Sequence, residues 1–354
     1  MLVKKINKSI VLDTIRRHAP LSRARVSEIT GLNKATVSNL VADLINDELL
    51  QEIGPGESSG GRKPLMLLFR GTAGYAVGLE LSVTHLKGVL TDLEGHIITE
   101  YAVKLEHHDV SSVFEQLKLA AEHLIHAAPP SPHGVIGMGI GVPGMVDEEG
   151  TVLFTPNLGW EKVPLRTMLE EAFELPVTID NEANAGIGIG SGIMVDGELY
   201  KGAWGYAGET GHMSIEAEGR PCSCGNRGCW ELYASEKAYE HPDHQLLLPA
   251  HTTRELIDYA QQGHEDVLKL YQEIGRKLGV GITNIVNSFN PERIIIGGPL
   301  SEAGPWIETA LKQVVEERTL PYHRRSLQIE WAALGSRSTR VGAAYSAISQ
   351  FLEV

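Results

Sequence analysis

Three cysteines and one histidine, gathered in a short glycine-containing stretch, constrain this chain more than any other feature. Cys222, Cys224 and Cys229 are the only cysteines in 354 residues, and His212 lies ten residues before the first of them. Three thiolates and an imidazole form a complete tetrahedral ligand set for zinc and leave no open position for a catalytic water. The alternative is three neighbouring thiols without a metal. We predict a structural zinc knuckle.

Residues 208–231, which read GETGHMSIEAEGRPCSCGNRGCWE, define this knuckle. Gly225 and Gly228 suit a loop that turns sharply to bring several sulfurs together. Glu209 and Glu231 lie near its two ends, so a metal that fixes the loop would also fix their carboxylates. Ionised acceptors make strong hydrogen bonds with hydroxyl groups such as those of a sugar. From chemistry alone, solvated surface acids are an equally good interpretation.

The runs GETGH and CSCGNRGCWE resemble the ROK family of repressors, open reading frames and sugar kinases. The resemblance covers nearly the whole chain, and with the N-terminal segment it is similar to the xylose-operon repressors of Bacillus-type bacteria within that family. In the family the histidine and cysteines bind zinc and the glutamates contact the sugar. The resemblance therefore implies structural zinc on His212, Cys222, Cys224 and Cys229, and a sugar site that includes Glu209, His212 and Glu231.

Charge divides the chain into two parts. Its net charge is -14, yet residues 1–70 carry 11 Lys and Arg against 7 Asp and Glu, whereas the rest carries 20 against 38. A small basic unit on a large acidic body is expected when only the first part binds DNA. The acidic body would repel phosphate, so DNA contacts should be confined to residues 1–70.

Residues 1–70 also show the helical signals of a DNA-binding domain. An apolar stripe that ends at Ala19-Pro20 predicts a first helix. Ser22 can cap a second helix that ends at Gly31, and Asn33 can cap a third. Two short helices joined by a glycine-containing turn form a helix-turn-helix. The predicted inward residues are Ile10, Val11, Leu12, Ile15, Val26, Ile29, Val37, Leu40, Val41 and Leu44.

A hairpin follows these helices and predicts a wing. Leu50–Ile53 and Leu65–Phe69 read as strands around the tip GPGESSGGRKP. Small polar side chains at a helix start can reach base edges and phosphates, and a tip arginine can enter the minor groove. A three-helix bundle for protein contacts is the alternative. The predicted DNA-contacting residues are Ser22, Arg23, Asn33, Lys34, Ala35, Thr36, Ser38, Asn39, Arg62 and Lys63.

From residue 74 to residue 354 the pattern changes to strands with helices between them. The predicted strands are Tyr75–Leu81, Leu86–Thr91, Ile97–Val103, Val135–Val142, Pro176–Ile179 and Arg293–Ile296, and the predicted helices are Val113–Ala128 and Val267–Asn287. With the resemblance, this implies an α/β protein: an N-terminal winged helix-turn-helix followed by a two-lobed actin-like ATPase fold of the sugar-kinase type.

Ligands of α/β sheets bind at the carboxyl ends of strands. Pro143-Gly144, Asn181-Glu182 and Gly297-Gly298 all follow predicted strands. Asn181-Glu182 also matches the Asn-Asp-Ala-Asn motif of the ROK kinases, so the resemblance implies that Asn181 and Glu182 belong to the sugar site. Asn157 is assigned to the sugar site as well. An equally good interpretation is that this asparagine only forms its turn.

Two departures from the family's kinases argue against catalysis. Those kinases use the aspartate of Asn-Asp-Ala-Asn as base, and Glu182 stands there in this chain. A misplacement of about 1 Å can cost roughly a hundredfold in rate. They also carry Asp-x-Gly-Gly-Thr after the first strand, where this chain has Glu80–Thr84, ELSVT, without either glycine. Because a phosphate cradle needs access to the backbone, we expect no productive ATP binding.

A segment of the family layout is missing after Gly186. In the family a helix and a strand follow the Asn-Glu/Asp-Ala-Asn motif, whereas here Ala185-Gly186 runs straight into IGIGSGIMVDGELY. An ordinary crossover would account for about two dozen residues. Either this chain is a deletion form with an impaired sugar response, or the family layout differs here.

With the resemblance, the sequence predicts a sugar-responsive repressor of xylose-utilisation genes whose inducer is xylose or a related sugar. It would bind double-stranded operator DNA as a homodimer or higher homo-oligomer. The alternative is an ATP-dependent sugar kinase with an added DNA-binding unit. No apolar run is as long as a membrane span, and MLVKKINKSI lacks the apolar part of a signal peptide. Cysteines assigned to a metal rather than to disulfides fit a reducing compartment, so we expect a cytoplasmic protein.

Overall fold

The structure is a computed structural model that describes residues 2–55, 64–155, 157–181, 189–195, 198–200, 202–203, 207–239 and 252–352. Its N-terminal unit contains three helices and three short strands. The strands form an antiparallel sheet in the order β1-β3-β2. These elements are α1 (Leu2–His18), β1 (Leu21–Ser22), α2 (Arg23–Thr30), α3 (Lys34–Asn46), β2 (Leu50–Pro55) and β3 (Leu65–Phe69).

The helix caps of this unit lie where the sequence predicts them. Ser22 accepts a hydrogen bond from the Arg25 amide at 3.3 Å, and Asn33 accepts one from the Thr36 amide at 2.8 Å. Gly31 ends α2 in the left-handed region, with φ of 71°. Side-chain oxygens at both helix starts thus satisfy amides that have no partner within the helix. The order of elements is the one expected for a winged helix-turn-helix.

For two residues of this unit, the prediction that they face inward is wrong. Ile29 on α2 is 43% exposed and Ile10 on α1 is 42% exposed, whereas Val26 and Ile15 are fully buried. Helix α2 is only eight residues long, so a single turn faces the core, and that turn is centred on Val26.

A five-stranded sheet forms the core of the first lobe of the body. Its strand order is β11-β7-β4-β5-β6, with β4, β5 and β6 in an antiparallel meander and β7 parallel to both β4 and β11. The strands are β4 (Tyr75–Leu81), β5 (His85–Asp92), β6 (Ile97–Lys104), β7 (Val135–Val142) and β11 (Val177–Asn181). The meander and the buried strand β7 agree with the sequence prediction.

Helices α4 (Val110–His126) and α10 (Ser338–Leu352) cover the two faces of this sheet. A Cβ at Gly88 would meet Leu124 of α4 and Leu79, its partner across the strands. A Cβ at Gly78, the neighbour of Leu79, would instead overlap the backbone of α10. Because neighbouring side chains in a strand point to opposite faces, the helices lie on opposite sides.

Smaller elements complete the first lobe and lead into the second. Strands β8 (Met145–Val146), β9 (Val152–Thr155) and β10 (Trp160–Val163) form an antiparallel sheet, and α5 (Leu165–Phe173) precedes β11. Strands β12 (Met194–Val195) and β13 (Glu198–Leu199) form a short hairpin. The remaining elements are α6 (Glu231–Ala234), α7 (Thr253–Gln261), α8 (Glu265–Phe289), β14 (Arg293–Ile296), α9 (Gly304–Arg318) and β15 (Gln328–Trp331).

The sheet of the second lobe has only two strands in the described residues. Strands β14 and β15 pair in parallel, and helices α8 and α9 pack tightly because Gly275 has no side chain to separate it from α9. Ile295 is 61% exposed, which is unusual for the middle of an apolar strand. Parallel strands are normally covered on both faces, and within the described residues the face of β14 that carries Ile295 is open.

The N-terminal unit packs directly onto the body. Its buried residues form one apolar cluster with Ile136 of β7 and with residues of α10 that include Ile348 and Leu352. Arg16 donates a hydrogen bond to the hydroxyl of Tyr345 on α10 at 2.7 Å. His133 donates through Nε2 to the carbonyl of Asp47 at 2.8 Å. Helix α10 is therefore the part of the body that touches both the sheet and the N-terminal unit.

Among the helices in the described ranges, none combines the length and the apolar character that a membrane crossing requires.

Candidate metal centre, ligand site and DNA-facing surface

The structure brings together the four side chains predicted to bind zinc. One donor atom from each of His212, Cys222, Cys224 and Cys229 lies within 4.8 Å of the others. The Cys224 and Cys229 sulfurs are 3.7 Å apart, and the Cys222 sulfur is 3.6 Å from Nδ1 of His212. Ligands at ordinary zinc distances occupy tetrahedral corners about 3.8 Å apart for two sulfurs and about 3.6 Å for sulfur and nitrogen. The arrangement fits zinc.

Two glycines allow the knuckle to turn as predicted. Gly225 and Gly228 have φ of 92° and 68°, in the region that side chains rarely adopt. A Cβ at Gly228 would also overlap the carbonyl of Glu216. The Asn226 side chain donates to the carbonyl of His212 at 3.2 Å and so ties the turn to the 3₁₀ turn Thr210–His212 that carries the histidine.

Trp230 anchors the knuckle to the second lobe. Its ring is buried, its Nε1 donates to the carbonyl of Lys277 on α8 at 3.0 Å, and Gly281 leaves room for the indole. On the other side, the start of the knuckle lies against the segment that follows the expected deletion, because Ser191 donates to the carbonyl of Gly208 at 2.8 Å. The position of the metal ligands therefore depends on both neighbours.

The electrostatics of the cluster favour a cation. Burial raises the pKa of the Cys222 thiol, and burial together with the neighbouring sulfurs raises the pKa of Cys229 to about 12. Cys222 and Cys229 are buried and Cys224 is exposed, and three thiolates at these distances repel one another, so a compensating positive charge favours the fully ionised set. A bound dication supplies that charge and deprotonates the coordinating thiols.

His212 lies between the two acids predicted to contact a sugar. Its Nε2 is 3.9 Å from Oε2 of Glu209, and its Nδ1 is 3.8 Å from Oε1 of Glu231. Nδ1 of the imidazole is thus directed at the sulfur cluster, and Nε2 is directed at Glu209. This geometry accommodates both roles assigned to His212 in the sequence analysis.

The carboxylate of Glu231 has a partner that the sequence analysis missed. The Lys237 ammonium lies 2.6 Å from Oε1 of Glu231, whose side chain is 5% exposed. The two residues are six positions apart, across the end of α6 and a 3₁₀ turn, so helical periodicity does not connect them. No sequence pattern marks Lys237 as the partner of Glu231, so the sequence analysis could not predict this ion pair.

The other predicted sugar residues belong to the first lobe. Asn157 is exposed in the turn between β9 and β10. Asn181 ends β11, opposite Val142 at the carboxyl end of β7, and its side chain lies outside the described set. Glu182 lies outside the described residues altogether. The structure therefore groups Glu209, His212 and Glu231 on the knuckle and places the two asparagines on the other lobe.

The turn after β4, where the family's kinases carry their phosphate loop, is closed by contacts of its own. The Ser82 amide and hydroxyl both donate to the carbonyl of His85 at 2.9 Å. Buried Glu80 accepts from Arg340 of α10 at 3.2 Å, and Arg340 also reaches Glu100 at 3.0 Å. Burial raises the pKa of Glu80, partly offset by Lys87 and Arg340.

The predicted DNA-contacting residues lie on or beside the exposed start of α3. Lys34, Ala35, Ser38 and Asn39 are exposed, and Thr36 is half-buried. Ser22 and Asn33 act as helix caps through their side-chain oxygens.

Two further predictions for this surface have different outcomes. Arg23 forms an ion pair with Glu52 of β2 at 2.5 Å, so an acid already holds its guanidinium. Arg62 and Lys63, at the predicted wing tip, lie outside the described residues.

Comparison with known proteins places the chain in a family. The family model described as ROK family matches residues 76–187 and 185–350. A xylose repressor of Bacillus subtilis (strain 168) is 38% identical over 381 residues, which cover 99% of this chain and 97% of the relative. An N-acetylglucosamine repressor of Escherichia coli O157:H7 is 26% identical, with 97% of this chain and 92% of the relative covered.

Solved structures show the same pattern. A ROK family transcriptional regulator, described as a homolog of the Escherichia coli MLC protein, superposes with a TM-score of 0.81 at 26% identity and covers 99% of this chain and 97% of its own. A ROK family glucokinase from Streptomyces griseus, in complex with glucose and AMPPNP, gives 0.67 at 27% identity and covers 77% of this chain and 98% of its own. The mixed α/β body therefore has the sugar-kinase-like, actin-like fold.

The family match and the alignments are consistent with the loss of a segment that the sequence analysis expects after Gly186. The two parts of the family match meet at residues 185–187, and the 381-residue alignment to the B. subtilis repressor is longer than the 354-residue chain. The relative thus carries residues that this chain lacks, as a lost crossover near Gly186 would produce. With the family match over most of the body and a relative of this identity along its whole length, the chain belongs to the ROK family.

Proposed function

We propose that the chain is a sugar-responsive transcriptional repressor of xylose-utilisation genes, with D-xylose as its inducer. The observation that carries the proposal is the alignment to relatives named xylose repressor, which spans both the N-terminal unit and the body. A glucokinase of Halalkalibacterium halodurans is 29% identical but covers only 77% of this chain. The additional N-terminal unit is therefore shared with the named repressors.

The N-terminal unit supplies DNA binding in this proposal. Helix α3 presents Lys34, Ser38 and Asn39 to solvent at its first turns, while its opposite side is buried. A helix held this way by a small core can enter a major groove, and its polar side chains can reach base edges and phosphates. Arg62 and Lys63 would add contacts from a wing, and two such units in a homodimer would read two half-sites.

The knuckle supplies the sugar site. Zinc on His212 and the three cysteines would hold Glu209 and Glu231 on either side of the imidazole, so that both carboxylates accept from sugar hydroxyls. The metal would be structural, because four protein ligands complete its tetrahedron. Asn157, Asn181 and Glu182 would complete the site from the first lobe.

Helix α10 offers a route from sugar to DNA. It packs on β4 and β7, whose ends border the ligand side of the sheet, and it contacts the N-terminal unit through Tyr345 and Ile348. A sugar that favours one arrangement of the lobes would shift the population of dimers toward geometries in which the two N-terminal units no longer match the spacing of the operator half-sites.

A sugar kinase is the second candidate, favoured by the similarity to glucokinases. Two features oppose it. The turn after β4 uses its own amide internally, and the Glu80–Arg340 ion pair fills the region beside it. Glu182 stands where the kinases have their catalytic aspartate.

One titration tests the proposal. Purified chain is titrated onto a labelled palindromic operator from a xylose-utilisation promoter, with and without D-xylose. We expect tight binding that D-xylose weakens. Binding that no pentose or hexose weakens would mean that the lost segment has removed the sugar response, and no preference for the operator over random duplex would refute the repressor. Turnover of xylose or glucose with ATP at ordinary kinase rates in a coupled assay would establish the second candidate instead.

A further inference from the structure

The geometry points to Lys237 as a positioning residue of the sugar site: its ammonium fixes the carboxylate of Glu231 in the orientation that a sugar hydroxyl needs. This inference rests on the proposed function and adds a residue to it. Lys237 lies outside the metal-binding set, and its contact with Glu231 is direct, at 2.6 Å.

Burial of Glu231 makes a charged partner necessary. Its side chain is 5% exposed, and an ionised carboxylate in such a place is costly unless it is paired and hydrogen-bonded. Removing one member of a buried pair is strongly destabilising for the same reason. Lys237 is itself mostly covered, with 25% of its side chain exposed, so solvent only partly screens the pair.

The local fold delivers Lys237 to this position. The hydroxyl of Ser235 donates to the carbonyl of Glu231 at 2.6 Å and accepts from the amide of Lys237 at 3.2 Å. Ser235 thereby ends α6 and starts the 3₁₀ turn at Glu236–Ala238. Ala234 and Ala238 are buried on either side and fix the turn against the core. The lysine is thus aimed back at Glu231 by the backbone.

Metal binding would increase the importance of Lys237. The Cys222 sulfur is 3.5 Å from Oε1 of Glu231, and Nδ1 of His212 is 3.8 Å from the same oxygen. Both atoms belong to the proposed ligand set, and a thiolate or a coordinated nitrogen has no proton to donate. A zinc ion with three thiolates also carries one net negative charge, which repels the carboxylate. Lys237 compensates that charge and remains as a donor to Glu231.

Oxygen lone pairs then remain available to a ligand. A carboxylate offers about four acceptor positions on its two oxygens, and Lys237 occupies one side of Oε1. A hydroxyl that donates to a fixed, ionised acceptor makes a strong hydrogen bond without first ordering the side chain. Lys237 therefore contributes to affinity through the position of Glu231.

The test compares three variants of the full-length, zinc-loaded chain. Lys237→Met keeps the aliphatic length and removes the charge, whereas Lys237→Arg keeps the charge. Lys277→Met is the matched control, because Lys277 pairs with Glu216 of the same knuckle and does not reach Glu231. Each variant is measured for zinc content, melting temperature, operator affinity without sugar, and D-xylose affinity by calorimetry.

We expect Lys237→Met to weaken D-xylose binding by roughly tenfold to a hundredfold, the loss typical of one charged hydrogen bond. Its zinc content and its sugar-free operator affinity should match the wild type. Lys237→Arg should restore most of the affinity, and Lys277→Met should bind D-xylose normally. A lysine with only a structural role would instead lower operator affinity and D-xylose affinity together, whereas a lower melting temperature alone is expected in either case because the pair is buried.

Several outcomes overturn the inference. One is D-xylose affinity within twofold of wild type in Lys237→Met, and another is an equal loss in Lys277→Met. If Lys237→Met does not fold, Lys237→Arg decides: a loss greater than tenfold refutes the positioning role, and near-normal affinity supports it. A wild-type chain that binds operator but no D-xylose refutes both this inference and the proposed inducer, whereas wild-type binding with unaffected variants refutes only the role of Lys237.

Discussion

Replacing Arg340 with methionine tests how helix α10 is held to the body. Arg340 is 6% exposed and makes three hydrogen bonds: to Glu80 at 3.2 Å, to Glu100 at 3.0 Å and to the carbonyl of Ser336 at 2.7 Å. Methionine fills much of the same volume without a charge. The variant therefore removes the cation and leaves the buried Glu80 without its ion-pair partner.

The structure sets the size of the effect. Breaking a buried ion pair from one side costs about 3–5 kcal/mol, because the remaining charge stays uncompensated. Arg337 provides the matched control, since it also pairs with Glu100, at 3.0 Å, but its side chain is 53% exposed. Exposed pairs contribute about 0–1 kcal/mol. We expect Arg340→Met to lose several times more stability than Arg337→Met.

The pH dependence of the free energy of unfolding provides an independent test of this ion pair. Burial raises the pKa of Glu80 above the ordinary 4.5, so the folded chain binds this proton more tightly than the unfolded chain. For such a group the free energy of unfolding falls as pH rises through the raised pKa. Without Arg340 the pKa of Glu80 should rise further. The deficit of Arg340→Met should therefore shrink as the pH is lowered from 7 toward 5.

Urea unfolding of wild type, Arg340→Met, Arg337→Met and the double variant Glu80→Gln/Arg340→Met measures these differences. The double variant removes the unpaired charge and should recover more than about 1 kcal/mol relative to Arg340→Met. A loss below 1 kcal/mol in Arg340→Met, no recovery in the double variant, or a deficit that grows on acidification would refute the reasoning.

Two other predictions concern the metal and the DNA surface. Cys224→Ser should abolish stoichiometric zinc and lower the melting temperature, although Cys224 is exposed and loses no packing; unchanged zinc by elemental analysis would exclude the knuckle as a metal site. Lys34→Ala and Arg62→Ala should each weaken operator binding across sequences and reduce the slope of log affinity against log salt by about one. Unaltered slopes would show that neither residue contacts a phosphate. Lys312→Ala, on α9 outside the N-terminal unit, is the control and should leave the slope unchanged.

Local signals explain what the sequence predicted well. Helix caps at Ser22 and Asn33 depend on side chains that bond an amide three residues further along the chain. Strand β7 is a continuous apolar run and β4 is apolar apart from Glu80, and both end at turn residues, so their bounds could be read from the pattern alone. The clustering of His212 with the three cysteines was predictable because these are the only cysteines of the chain and lie with the histidine within one short glycine-containing stretch.

Contacts between distant parts of the chain could not be predicted in this way. Strand β1 has two residues and is recognised only by its pairing with β3. Arg23 at the start of α2 was assigned to DNA, and the structure adds an ion pair with Glu52 of β2, a partner that depends on the three-dimensional fold. The role of α10 in the apolar cluster of the N-terminal unit likewise joins residues more than three hundred positions apart, as Arg16 and Tyr345 do.

The second lobe illustrates a different limit. Strand β14 was predicted with its correct bounds, but its exposure was not, because the neighbours of a strand are set by topology. Ile295 is exposed in the middle of the apolar run RIII, and no local signal in that run marks the exposure.

Calorimetric titration of D-xylose into the zinc-loaded chain, and into the same chain after the metal is removed by a chelator, tests the central claim most directly. The account predicts binding to the zinc-loaded chain and an affinity at least about tenfold lower without zinc, because Glu209 and Glu231 are then no longer fixed on either side of His212. Equal affinities with and without zinc would contradict it.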